Sequence, residues 1–302
     1  MKQYYTISEN EVEDRLDKVL VQQNSTVSRQ QIQSWIKEEY VRVNDKFVKP
    51  NYRCKLNDEI VWEFPVEDDT AINIQAENIP LTILYEDEYL LVMNKPKGML
   101  VHPTHKTKNG TLVNALVYRY DSLSTLSGEG RPGIVHRLDQ QTSGIMVIAK
   151  DDTTHAHLSE QFKARTVTRI YEAIVYGVMQ HDQGIIKAPI GRHPKNRLKR
   201  AVVENGKEAE THFRVLHYFR DYTHVQCQLM TGRTHQIRVH LKYMNHPIVG
   251  DEVYTRKKQQ FSHGQALFAR ELAFDHPKTG ERMTFSVEQP PYFKNMIEKL
   301  KL

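Results

Sequence analysis

Cysteine is nearly absent: two residues, Cys54 and Cys227, in a chain of 302. Two thiols cannot build a disulfide framework for a chain this long, nor a four-thiolate zinc site, so both are expected to be reduced. Long apolar runs are also missing. The first twenty residues hold no apolar core of signal-peptide length, and Gly144 to Ala149, among the most apolar stretches, is far too short to span a membrane. Internal repeats and low-complexity tracts are absent. These absences favour a cytoplasmic, globular protein. Hydrophobic residues at 39% and charged residues at 26% fit that class, and the length suggests two domains.

Charge is weakly one-sided, with 42 Lys and Arg against 37 Asp and Glu for a net +5. Residues 1–64 hold ten basic and eleven acidic side chains, so the positive excess lies in the remainder. Within the first segment the charge is polarised. Arg42, Lys46, Lys49, Arg53 and Lys55 face only Asp45 between 42 and 55, while acids gather in 9–17. One face is thus suited to an anion, or is simply a solvated surface.

Val12, Leu16, Val19 and Leu20 predict a helix over 11–23. Ser28 with Gln31 resembles a capping box, and Ile32, Trp35 and Ile36 continue a second helix. Val41–Val43, a turn at Asn44-Asp45-Lys46, Phe47-Val48 and Glu59–Trp62 then predict short strands. Residues 65–80, bracketed by prolines, are expected to be a linker between a small unit at 1–64 and a larger one at 81–302. The larger unit alternates strand-like runs at 81–95, 145–149, 167–177, 211–219 and 223–230 with helical spacing at 155–164 and 234–244. That mixture predicts an α+β domain around a largely antiparallel sheet. A short C-terminal helix is expected over 295–302.

Three segments concentrate polar chemistry. Gly133–Gly144 contains His136, Arg137, Asp139 and Thr142 ahead of a buried strand; Asp139 there suits turn formation as well as catalysis. Thr168–Gly177 is a strand whose alternation puts Tyr171, Ala173 and Val175 on one face, where a tyrosine is ordinarily core. Leu229–His240 leaves a strand, turns at Gly232 and enters a helix expected to be capped by Thr234. Arg233 falls at that junction, placed to pair a carboxylate or to make a surface salt bridge.

Taken in order, HRLDxxTSG, RxYxA and TGRTHQIRxH resemble the motif series of the RluA-type pseudouridine synthases, and Asn94-Lys95-Pro96-x-Gly98 resembles that family's opening. RLDKVL and the run from Ser28 to Trp62 resemble the RNA-binding domain named after ribosomal protein S-four. The resemblance implies an isomerase that breaks the uracil N1 to ribose C1′ bond, turns the base and rejoins it through C5, without cofactor or metal. It further implies Asp139 as nucleophile or base, Tyr171 stacked on the base and removing the C5 proton, and Arg233 paired with Asp139. His136, Arg137, Thr142, His235 and Arg238 become candidate substrate-binding residues, with Arg137 helping to hold the disrupted RNA open. Arg29, Arg42, Lys46 and Arg53 become candidate phosphate contacts. The run Arg192–Arg200, read as a loop with five basic residues and no acid, offers Arg192, Arg197 and Lys199.

The implied partner is RNA, with large-subunit ribosomal RNA favoured over transfer RNA through similarity to RluD-like members; no membrane is implied and the oligomeric state is not encoded. A guanidinium beside Asp139 would keep it ionised in a dry pocket, and the target uridine would have to be flipped out of its stack. The competing readings are a non-catalytic RNA-binding or ribosome-assembly factor, a glycosidase, which would need a second carboxylate, and a metalloenzyme built on His102/His105, His155/His157 or His235/His240, none of which matches a strong ligand signature.

Overall fold

The computed structural model describes residues 2–24, 29–64, 74–104, 107–255 and 264–301. The chain divides into two compact units, Met1–Ile72 and Asn73–Leu302.

The first unit runs β1 (Gln3–Thr6), α1 (Leu16–Gln23), α2 (Arg29–Lys37), β2 (Val41–Val43), β3 (Lys46–Phe47) and β4 (Glu59–Trp62). The strands form one sheet in the order β1-β4-β2-β3. Leu16, Val19 and Leu20 from α1 and Ile32, Trp35 and Ile36 from α2 bury their faces with Val41, Val43, Cys54, Ile60 and Trp62, which is what the helical and alternating spacings require. Asn44 and Asp45 both take positive φ, 49° and 58°, the geometry of a two-residue hairpin turn that these side chains tolerate. Val12 departs from expectation. It is 40% exposed, because the chain turns at Glu13, φ 67°, and α1 starts only at Leu16. Ser28 of the expected capping box lies outside the described residues.

The second unit continues with β5 (Thr82–Glu86), β6 (Leu90–Lys95), α3 (Leu112–Arg119), β7 (Ser143–Ala149), α4 (Asp152–Ala164), β8 (Thr168–Tyr176), β9 (Gln183–Lys187), β10 (Ile190–His193) and β11 (Asn196–Val202). It ends with β12 (Glu210–Tyr218), β13 (Tyr222–Leu229), α5 (Gln236–Tyr243), β14 (Leu267–Asp275), β15 (Arg282–Ser286) and α6 (Pro291–Lys301). Nine strands form one mixed sheet, β5-β6-β7-β14-β8-β13-β12-β9, with β15 on β14. Every pairing is antiparallel except β7 with β14, which makes this an α+β domain with a largely antiparallel mixed sheet.

All seven residues of β7 are buried, because helices and loops cover both faces of the sheet there. Val147 and Ile145 pack with Leu158 of α4, while Met146 and Ile148 pack with Leu112 and Leu116 of α3. Residues 74–80, expected as linker, lie along α3: Asn114 donates to the Gln75 carbonyl at 2.8 Å and its own carbonyl accepts Glu77 N–H at 3.1 Å. Residues 65–73 of that stretch lie outside the described residues. The basic run at 192–200 is not a loop. Its strands β10 and β11 pair antiparallel with a bulge at Arg192/His193. Cys54 and Cys227 are buried and free.

Candidate active site

A cleft of about 590 Å³ opens where the loop before β7, the strand β8 and the turn into α5 meet. Asp139 is the sole acid among its described lining residues, against Arg131, Arg137, Lys163, Arg165, Arg169, Arg233 and Arg238. All three motif segments therefore converge on one basic cavity holding one carboxylate.

Asp139 stands in a tight turn, its carbonyl accepting Thr142 N–H at 3.0 Å. The next carbonyl, that of Gln140, is gripped by Gly98 N–H at 2.8 Å and by the Lys95 ammonium at 3.3 Å. Lys95 is fully buried and also donates to the Pro96 and Met99 carbonyls, each at 2.9 Å. Burial pushes its pKa down to about 7, and the Asp139 charge opposes that shift. The opening motif at Asn94–Gly98 thus anchors the backbone of the Asp139 turn. Thr142 is 2% exposed, and its hydroxyl accepts Gln265 Nε2 at 2.6 Å, a second anchor.

The pairing expected of Arg233 belongs to Arg238. Arg238 Nη1 donates to Asp139 Oδ2 at 2.8 Å, while its Nε and Nη2 donate to Asp251 at 2.7 and 2.9 Å. Arg233 Nε instead donates to the Glu208 carbonyl at 2.9 Å. The reason is geometric. The turn before α5 directs Arg233 toward the cleft rim, whereas Arg238 projects from the first turn of α5. Burial works against the charge of Arg238, and the two carboxylates more than offset it. Asp251, 1% exposed, also accepts Val253 and Tyr254 N–H, so it is fully committed.

The expected cap at Thr234 is also corrected. Helix α5 begins at Gln236 with His235 as its N-cap, at φ 59° and without a side-chain cap bond. The Gln236 side chain braces this turn: its carbonyl oxygen accepts Thr231 Oγ1 and Arg233 N–H, and its amide donates to the Glu210 carbonyl and Thr211 Oγ1, all at 2.8–2.9 Å. His235 Nε2 lies 3.9 Å from Asp139 Oδ1.

Tyr171 lies in β8, between β13 and β14, and is 7% exposed. Burial pushes its hydroxyl up to about 12, with the cation of Arg169 working against it. Arg169 itself abuts Gly232, where a Cβ would come within 2.7 Å of its guanidinium. His136 Nε2 accepts Val147 N–H at 3.0 Å and its ring stacks on Phe162 at 4.8 Å. Burial pushes it down to about 3, leaving a neutral imidazole. Arg137 lines the cleft two residues from Asp139.

The remaining candidates lie elsewhere. Arg29 pairs with Asp17 at 2.9 Å and Arg53 donates to the Glu13 carbonyl at 2.6 Å, so both serve contacts inside the first unit. Arg42 lies 4.6 Å from the Phe47 ring centroid, and Lys46 is exposed. Arg192 is exposed on β10, and Lys199 Nζ donates to the Val253 carbonyl at 2.7 Å; the side chain of Arg197 lies outside the described residues. Among the described residues no three His, Cys, Asp or Glu side chains converge as a metal site would require. His155 bonds Ser124 and Ser127, and His240 bonds Thr211 and the Ala188 carbonyl; His105 lies outside the described residues. Asp251 and Gln236 were not singled out by sequence reasoning; the only signal was the Gln inside TGRTHQIR.

Comparison with known proteins agrees with this geometry. Residues 89–243 match the family described as RNA pseudouridylate synthase, and residues 14–60 match the S4 domain. An uncharacterised RNA pseudouridine synthase of Bacillus subtilis (strain 168) is 46% identical over 296 residues, covering 98% of this chain and 97% of the relative. The ribosomal large subunit pseudouridine synthase D of Pseudomonas aeruginosa is 41% identical over 301 residues, covering 95% and 92%. Among solved structures, human RNA pseudouridylate synthase domain containing 4 superposes with a TM-score of 0.58 at 26% identity, over 73% of this chain and 93% of that one. Three motifs brought to one cleft, and matches of this extent, make the chain a member of the RNA pseudouridylate synthase family, an isomerase of the RluA type with an N-terminal S4 domain.

Proposed function

We propose that the enzyme isomerises uridine to pseudouridine in large-subunit ribosomal RNA, with Asp139 as the reacting carboxylate. The observation that carries the reading is the Arg238 to Asp139 bond of 2.8 Å inside a cleft whose other charges are basic. The guanidinium gives the carboxylate a charge-assisted hydrogen bond that fixes its orientation in the cleft. The basic lining suits the phosphates around an extruded uridine, and the cleft volume is of a size to take one nucleotide.

In this reading Asp139 acts as nucleophile or base to open the N1–C1′ bond. The base turns while held, C5 joins C1′, the C5 proton leaves to Tyr171 and solvent, and N1 takes a proton. Tyr171 stacks on the base; Arg137 holds the gap in the RNA; His136 and Thr142 support the Asp139 turn from behind, and His235 and Arg238 flank its carboxylate. The first unit docks structured RNA through Arg42 and Lys46 and the second, with residues 74–80 along α3, catalyses, with Arg192 adding a phosphate contact. A ribosomal substrate and buried free thiols support a cytoplasmic setting.

The test is release of tritium from RNA labelled at uridine C5. Wild type is expected to release it from unmodified large-subunit ribosomal RNA, and Asp139→Ala to bind that RNA without release. Release from transfer RNA alone would overturn the ribosomal assignment; equal release by Asp139→Ala would overturn the role of the carboxylate.

A further inference from the structure

Tyr254 lies outside the three motifs, yet it touches the site at three points. Its hydroxyl accepts Arg200 N–H from β11 at 2.9 Å and lies 2.9 Å from His235 Nδ1. Its ring stands edge-on to the His235 imidazole, 5.7 Å between centroids at 84°, and its centroid is 5.1 Å from the Arg238 guanidinium carbon. Tyr254 is 8% exposed.

Counting protons on this hydroxyl fixes a choice that atomic positions alone do not display. A phenol has one hydrogen to give. One lone pair is taken by Arg200 N–H, and the acceptor at hand for the O–H is His235 Nδ1. If Nδ1 carried the imidazole proton instead, the buried O–H would be stranded, at the cost of an unsatisfied donor. With Nδ1 accepting, the proton sits on Nε2, the nitrogen that faces Asp139 Oδ1 at 3.9 Å. The alternative tautomer would aim a lone pair at a carboxylate. Both ends of the ring therefore select the same form. Burial also lowers the pKa of His235, which the Asp139 charge only partly counters, so the ring is neutral.

Resting on the isomerase reading above, we infer that Tyr254 is a positioning residue: it fixes His235 in the Nε2–H form, so that a neutral hydrogen-bond donor stands beside the second oxygen of Asp139. Arg238 holds Oδ2 and the imidazole N–H borders Oδ1, so the two oxygens are distinguished by their surroundings. The left-handed backbone of His235, φ 59°, a conformation unusual for a non-glycine residue, is what brings its ring between Tyr254 and Asp139.

The test combines a spectrum with a mutant cycle. Long-range nitrogen–proton correlation spectra of the wild-type imidazoles, with His235→Gln for assignment, are expected to show His235 protonated on Nε2. In Tyr254→Phe the ring and its packing remain but the donor to Nδ1 is gone, and Nδ1–H signal is expected to grow. The same variant is expected to lower kcat for tritium release about tenfold, the scale of one hydrogen bond made in the reacting complex, with RNA affinity within about twofold of wild type. A glutamine amide carries its N–H whatever Tyr254 does, so in a His235→Gln background the Tyr254→Phe change is expected to cost less than about twofold. An Nδ1–H wild type, undiminished kcat in Tyr254→Phe, or equal losses in both backgrounds would each overturn the assignment. Were the wild type to release no tritium at all, the isomerase reading would fall, and the wild-type spectrum alone would decide the tautomer.

Discussion

Arg238 gives one nitrogen to Asp139 and two to Asp251, so a single guanidinium sets the position of the Asp139 carboxylate against a second, fully buried one. A lysine has one ammonium and cannot hold that fork. Arg238→Lys is expected to cut tritium release by about 100-fold or more, since separating such a buried pair costs about 3–5 kcal/mol. Arg233→Lys, at a carbonyl contact on the rim, is expected to cost less than about tenfold. Single-turnover rates of the two variants measure the difference; the reverse order would return the pairing to Arg233.

In the proposed mechanism Tyr171 stacks on the base and its hydroxyl takes the C5 proton; Tyr171→Phe keeps the ring and removes the hydroxyl. Loss of a positioned acid–base group lowers rates by about 10² to 10⁴. The variant is expected to bind RNA with wild-type affinity and release tritium at least about 100-fold more slowly, as followed by filter binding and label release on one preparation.

Gly144 is held at φ 122° at the start of β7, and a Cβ there would come within 2.2 Å of the Ala269 carbonyl oxygen on β14. No flexible side chain can yield, because the obstacle is backbone. Gly144→Ala is expected to destabilise the second unit by about 3 kcal/mol or more, strain and collision combined, and to lower its thermal midpoint while leaving the first unit folded. A wild-type midpoint would show that β7 and β14 part without cost.

Asp17, fully buried, accepts from Arg29, Arg15 and Gln33. Burial pushes its carboxyl up, but these partners together pull it down to about 2. Because the folded value lies below the unfolded one, the stabilisation is present above about pH 4 and is lost as pH falls toward 2; its size is on the order of 2 kcal/mol. Asp17→Asn is expected to remove this from neutral pH and flatten acid unfolding of the first unit. Both tryptophans, Trp35 and Trp62, lie in that unit, so intrinsic fluorescence reports it separately.

Arg192 and Lys195 are exposed at the end of the β10–β11 hairpin. If they meet phosphates, their replacement by alanine together is expected to reduce the slope of log affinity against log salt by about 1.4–1.8, from roughly 0.7–0.9 per phosphate contact. Lys199→Ala is expected to act differently, because Lys199 ties the hairpin to the Val253 carbonyl: it loosens the hairpin and changes the slope less.

Much of this was legible because local chemistry and fold agree. Leu16, Val19 and Leu20 read as a buried helical face and are one, and the apolar run after Gly144 is a strand covered on both sides. The order of the three motifs located the cleft. The choice of arginine was not legible, since five positions separate Arg233 from Arg238 and only the start of α5, delayed to Gln236 by the Gln236 side-chain bonds, decides which one faces Asp139. Asp251 and Tyr254 were hidden for a related reason. They reach the site through tertiary contacts of a loop whose local sequence carries no periodic signal. Val12 shows the opposite error: a helical spacing extended one turn too far, cut off by the backbone at Glu13.

The parallel junction of β7 with β14 also orders events in time. Phe268 and Ala269 must reach Ser143 and Gly144 to complete the sheet behind Asp139, and they lie near the end of the chain. On a ribosome synthesising this protein, the Asp139 loop emerges long before its supporting strand does. A chain that stops before β14 therefore carries the three motif segments without the strand that backs the first of them, and long-range closure makes that pairing a late folding step. Alignment of the Asp139 turn is in this way tied to the arrival of β14.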